Sequence, residues 1–175
     1  MGRPTLIVVS GPAGSGKTTL AHQLATAVSC PALSRDEIKE GMVFSNPGFV
    51  ASPSDALTMR TYELFFDSIA LLLRAEVSLV VEAAFQHRLW IQGLSLLDDL
   101  ATLRVIRCSV PDGVARERQA KRMLAQRTRT AHADAEHLAL AEPFDPINLD
   151  APTLDVDTSD GWRPGLPTIA AFCRS

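Results

Sequence analysis

"LIVVSGPAGSGKTTLA", Leu6 to Ala21, changes character twice in a short span. An aliphatic, β-branched run stops at Gly11, a glycine-rich turn follows, and Lys17 then opens a segment with Leu20, Leu24 and Val28 on one stripe. The first run reads as a buried strand, Thr5 to Ser10, and the second as a helix, Lys17 to Val28. Between them "GPAGSGKT", Gly11 to Thr18, fits G-x-x-x-x-G-K-[ST] in the strand–loop–helix setting that gives the pattern its meaning. Glycines let the backbone curl so that successive N–H groups point at phosphate oxygens. The helix adds its positive N-terminal end. Gly11, Ala13, Gly14, Ser15, Gly16, Lys17, Thr18 and Thr19 would then surround the phosphates of ATP. Lys17 would reach the β- and γ-phosphates, and the Thr18 hydroxyl would ligate Mg²⁺.

Working outward, strand-like runs alternate with helical patterns. A short strand is expected at Pro31 to Ser34, and "GMVFSNPGFVASP", Gly41 to Pro53, reads as loop on its glycines and prolines. Asp55 to Glu76 is the longest helix, with Tyr62, Phe65, Phe66, Ile69, Leu72 and Leu73 on the buried face. Val77 to Val81, Leu103 to Val110 and "TLDVDT", Thr153 to Thr158, read as further strands. Helical patterns fall around His87 to Asp99, Asp112 to Gln126, and near the end of the chain to about Phe172. The alternation predicts one domain, 1–175, of class α/β: a three-layer α/β/α P-loop NTPase with a five-stranded parallel sheet.

Composition narrows the function. At 175 residues, 46% hydrophobic and 21% charged, the chain is globular in composition. A net charge of −3 offers no broad basic field, which disfavours nucleic acid as partner. Three scattered cysteines and four histidines form neither C-x-x-C nor H-E-x-x-H, so no disulfide framework or zinc site is expected. No run approaches the roughly 20 apolar residues of a membrane span. The apolar stretch before Gly11 is too short for a signal-peptide core. A cytoplasmic protein is the expectation.

The chain lacks the N-K-x-D and D-x-x-G elements of a GTPase and the L-S-G-G-Q of a transport ATPase. A small kinase remains. It needs a base beside the acceptor, an acid for the metal, and arginines to cover the moving phosphate. "LSRDEIKEGM", Leu33 to Met42, sets Asp36 just past a short strand, at the sheet edge where open parallel sheets bind ligands. A carboxylate there can accept the acceptor's proton. Asp36 or Ser34 serves equally well as a helix cap. In "SLVVEAAFQHR" Glu82 ends the third strand, where an acid would hold Mg²⁺ or orient the acceptor. Arg88 either enters the acceptor cleft or lies on a solvated helix. In "VARERQAKRMLAQRTRT", Val114 to Thr130, Arg118 and Arg122 share a helix face, with Arg127 and Arg129 following. They form either an arginine-bearing lid, about 116–134, or a basic helix surface.

Gly11–Thr18 followed by "SRDEIKEGM" resembles the P-loop kinase family of polynucleotide 5′-hydroxyl kinase, chloramphenicol phosphotransferase and the zeta toxins, AAA-domain-like small ATP-binding kinases. The resemblance implies a nucleoside-monophosphate-kinase-like sheet and makes Asp36 the general base, with Arg35 adjacent. Lys39 stands where an acceptor-binding arginine occurs. "RQAKR" is similar to the lid of the polynucleotide kinase, which implies phosphate contacts for Arg118 and Arg122. In similar kinases the loop after the last strand lies against adenine, which would give Thr158 and Ser159 that role. Phe44 and Phe49 are candidates to stack on a ring of the acceptor.

The expected activity is ATP- and Mg²⁺-dependent transfer of the γ-phosphate to a hydroxyl of a small molecule. Lys17, Asp36, Arg118 and Arg122 would be catalytic. Arg35, Lys39, Glu82 and Arg88 would face substrate, and Thr18 and Glu82 metal. The rival readings are an ATP-sensing module without phosphotransfer and a nucleic-acid 5′-hydroxyl kinase.

Overall fold

Five strands carry the architecture: β1 (Thr5–Ser10), β2 (Ala32–Ser34), β3 (Leu79–Ala83), β4 (Thr102–Ser109) and β5 (Thr153–Asp157). In this computed structural model, which describes residues 2–50, 52, 55–97, 99–125 and 143–175, they pair in parallel in the order β2-β3-β1-β4-β5. The helices among the described residues are α1 (Lys17–Val28), α2 (Arg35–Phe44), α3 (Ala56–Arg74), α4 (His87–Leu94), α5 (Asp112–Ala125) and α6 (Leu166–Arg174). The fold is the three-layer α/β P-loop architecture expected from the alternation.

Side chains alternate across the sheet, so each strand feeds two cores. Leu6 and Val8 of β1 join Leu79, Val81 and Ala83 of β3 under α3 and α4. Ile7 and Val9 join Val80 on the opposite face, under α1 and α6. That parity decides the site. Glu82 shares the Val80 face and is therefore turned toward α1. Ser10 shares the Leu6 face, where the Trp90 indole N–H donates to its hydroxyl at 3.0 Å. Trp90 closes an aromatic cluster with Tyr62, Phe65, Phe66 and Phe85. Gly93 admits it, since a Cβ there would sit 2.1 Å from the Phe66 ring. Tyr62, Phe65 and Phe66 are thus core, as their spacing predicted.

Several boundaries differ from expectation, α4 ending at Leu94 rather than Asp99 among them, and two have a clear cause. The stretch read as loop from Gly41 begins as helix, because α2 continues to Phe44. It stops at Ser45, whose N–H closes on the Gly41 carbonyl, two residues before Pro47. β3 starts at Leu79 rather than Val77, because the chain leaving α3 first turns through Glu76 at φ 59°.

Candidate active site

β1 delivers the chain into the loop, and positive φ at Gly14 (80°) and Gly16 (74°) curls it. Both values are cheap only for glycine. Gly14 has a second reason: a Cβ there would lie 2.5 Å from the Ala115 carbonyl, so α5 rests directly on the loop. Gln119 of α5 donates to the Ala13 carbonyl at 2.7 Å. Sequence gave no signal for this tie, which spans most of the chain. Lys17 is buried, its Nζ 3.5 Å from the Pro12 carbonyl. The Ser15 hydroxyl is buried without a hydrogen-bond partner among the described residues.

Behind the loop two hydroxyls converge on one carboxylate oxygen. Thr18 donates to Glu82 Oε1 at 3.0 Å, and Ser34 donates to the same atom at 2.6 Å. Register makes this possible, for Ser34 and Val9 are the strand partners of Glu82. Glu82 is 2% exposed, and its Oε2 is buried with no hydrogen-bond partner among the described residues. A buried carboxylate oxygen left bare costs free energy unless something arrives to use it. Ser34 also caps α2, accepting from the Glu37 N–H at 3.4 Å. Asp36 therefore is not the cap. It sits in the first turn of α2, its carboxylate 35% exposed and 3.1 Å from the Arg35 guanidinium.

Lys39 falls elsewhere than expected. It is 2% exposed, and its ammonium donates to Asp55 Oδ2 and Thr58 Oγ1, both at 2.9 Å. Asp55 is the N-cap of α3, so Lys39 joins α2 to α3. Burial alone would push the Asp55 carboxyl up, but Lys39 and the Thr58 and Ser52 amides hold it below its ordinary value. Lys39→Met should destabilise the fold by about 3–5 kcal/mol in urea unfolding, because it strands a buried carboxylate. In the unmutated chain this stabilisation is full above the unfolded carboxyl pKa, about 3.9, and is lost as pH falls through the folded value. A loss below about 1 kcal/mol would mean that Asp55 simply rehydrates.

An open cavity of about 550 Å³ lies beside the loop, lined by Ser15, Gly16, Thr19, Arg118, Arg122 and Trp162 among others. Its volume is in the range of small-molecule sites, roughly 300–1,000 Å³. Arg118 and Arg122 do share a helix face, and both reach this cavity. Arg118, however, is engaged: its Nη2 donates to the carbonyls of Thr158 at 2.8 Å and Ser159 at 2.9 Å. It staples α5 to the loop after β5. Arg88 is exposed on α4 and Phe44 is 89% exposed on the last turn of α2, while Phe49 is half-buried. Arg127, Arg129 and the rest of the expected lid, 126–134, lie outside the described residues. Cysteine chemistry is absent from the loop: burial pushes the neighbouring Cys108 thiol up to about 12, far from a thiolate at neutral pH.

A family model described as an AAA domain matches residues 6–163, from the first strand to the loop after β5. The chain belongs to that family. No curated protein matches the sequence. Among solved structures, a candidate kinase from Chloroflexus aurantiacus is 28% identical with a TM-score of 0.84, covering 99% of this chain and 98% of its own. Mycobacterium tuberculosis APS kinase, solved with AMPPNP and APS, superposes over 100% of both chains with a TM-score of 0.70 at 16% identity. A gluconokinase from Sinorhizobium meliloti covers 99% of this chain and 91% of its own, at 18% identity and a TM-score of 0.54. At those last identities the likeness is one of fold. This AAA domain is thus built on the P-loop framework of small kinases. No helix among its described residues is long and apolar enough to cross a membrane.

Proposed function

We propose that this AAA domain transfers the γ-phosphoryl group of ATP, with Mg²⁺, to a hydroxyl of a small molecule. The observation that carries the reading is the bare Oε2 of Glu82 behind a phosphate-binding loop, with Asp36 two residues from the serine that holds Glu82. A nucleotide sensor needs a phosphate cradle but no carboxylate at the acceptor edge. The net charge of −3 weighs against a nucleic-acid acceptor, whose phosphates would be repelled by it.

The residues suit the metal. Hydroxyl and carboxylate oxygens are the donors Mg²⁺ takes, and Thr18 and Glu82 present both side by side. Bound there, the ion would neutralise charge on the β- and γ-phosphates. Asp36 accepts the acceptor's hydroxyl proton as its oxygen bonds to phosphorus and the bridging bond to ADP breaks. Lys17 and Arg122 supply positive charge to the oxygens of the moving group. Arg118 holds α5 against the β5 loop, so that Arg122, one turn on, is carried at the cavity.

The test is acceptor-dependent ADP release across neutral and charged hydroxyl compounds, with phosphate incorporation followed by mass. ATP binding with no transfer to any alcohol, and no activity above Asp36→Asn, would favour the sensor.

A further inference from the structure

Ser34, the last residue of β2, is 2% exposed and uses its hydroxyl twice. It donates to Glu82 Oε1 at 2.6 Å and accepts from the Glu37 N–H at 3.4 Å. A serine hydroxyl has one hydrogen to give, and this one is committed to the carboxylate. The bond is possible because β2 pairs with β3 in a register that sets Ser34 opposite Glu82. One buried oxygen therefore touches both the acid assigned to the metal and the first turn of the helix that carries Asp36.

Without such a partner the acid would be loosely aimed, since a glutamate turns about several side-chain bonds and can present either oxygen. Thr18 and Ser34 both grip Oε1, one from α1 and one from the neighbouring strand, while Oε2 stays bare. Thr18 is itself assigned to the metal. Ser34 is not, so its bond fixes the acid without competing for the ion. Hydrogen-bond partners of a ligating carboxylate typically set metal affinity by roughly 10- to 100-fold, because they order the ligand in advance.

We infer that Ser34 is a positioning residue of the metal site: its hydroxyl locks Glu82 with Oε2 free, and this, beyond capping α2, is what the serine is for. The inference rests on the Mg²⁺-dependent reading proposed above and adds to it a residue that the sequence marks only as a helix cap. The two roles of Ser34 are separable. Glycine caps a helix nearly as well as serine and alanine does so poorly, but both lose the bond to Glu82 alike.

Calorimetric titration of the whole chain with AMPPNP, once in EDTA and once in saturating Mg²⁺, gives the factor by which the metal tightens the nucleotide. In Ser34→Gly and Ser34→Ala that factor should fall about 10-fold, the lower end of the usual range because the phosphates also hold the ion. Affinity in EDTA should stay within about threefold of the parent, since the phosphate loop is untouched. The two variants should lose the same factor even where their melting temperatures differ. Glu82→Gln keeps an oxygen for both hydroxyls but removes the charge that holds the ion. In that background Ser34→Gly should change the factor by less than about twofold, because no acid is left to aim. An unchanged factor in Ser34→Gly, with or without a loss in Ser34→Ala, would overturn the inference and leave the kinase reading standing. So would an equal loss of affinity in EDTA, or an effect of Ser34→Gly that persists undiminished in Glu82→Gln. A parent that binds AMPPNP no more tightly with Mg²⁺ than without it, or not at all, would remove the metal site and the inference together.

Discussion

Lys17→Ala is expected to lower turnover by roughly 10³-fold or more, the scale on which removing a cation from a transferring phosphoryl group acts. The fold should survive the change. Lys17 is 6% exposed, and its hydrogen bond among the described residues is a long one to a backbone carbonyl. Among the described residues Lys17 makes no ion pair that its removal would break. The melting temperature should therefore stay where it is or rise slightly. Lys39 gives the opposite pattern: its ammonium is matched by Asp55, so its loss is felt in stability first. Two buried lysines, one awaiting an anion and one already holding it, are thus told apart by measuring kcat and melting temperature side by side. Full activity in Lys17→Ala would take the loop out of the chemistry.

Asp36→Asn should reduce phosphotransfer about 10²- to 10⁴-fold while nucleotide affinity stays within a factor of two or so. The amide keeps the size and the local hydrogen bonding of the carboxylate but takes up no proton at neutral pH. Because Ser34 and not Asp36 caps α2, the structural cost is that of the interaction of the charge with the helix N-terminus, typically 0.3–1 kcal/mol, and of the partly exposed pair with Arg35, about 0–1 kcal/mol. Loss of that size shifts the unfolding midpoint slightly and cannot account for a thousandfold drop in rate. Normal turnover in Asp36→Asn would reduce this carboxylate to a favourable charge at a helix start.

Local patterns carried much of this into the sequence. Thr5–Ser10 and Lys17–Val28 have the bounds read from the residues, since a β-branched run ended by glycine and a leucine stripe at helical spacing each depend on near neighbours. Glu82 was legible as the end of a strand. Its bond to Ser34 was not, because that depends on which strand lies beside β3 and in what register. The same limit hid Lys39, read as an acceptor contact while its partner Asp55 lies sixteen residues on. Arg118 was placed on the right helix face, yet the carbonyls it holds come from a loop forty residues away. Gly41 misled in a different way: its poor helix propensity was overridden once Lys39, in the preceding turn, was fixed to α3.

The strand order has a consequence for how such a molecule can diversify. With β1 at the centre, the β4–β5 flank carries Arg118 and Arg122 at the cavity beside the loop, and the β2–β3 flank carries α2 with Asp36, and α3. The halves meet along one strand and the turn that follows it. A graft of the segment from Arg35 to Arg74 out of another such kinase should therefore transplant taste for a different acceptor without disturbing how the donor is gripped, provided that the incoming helices keep a partner for the Trp90 cluster.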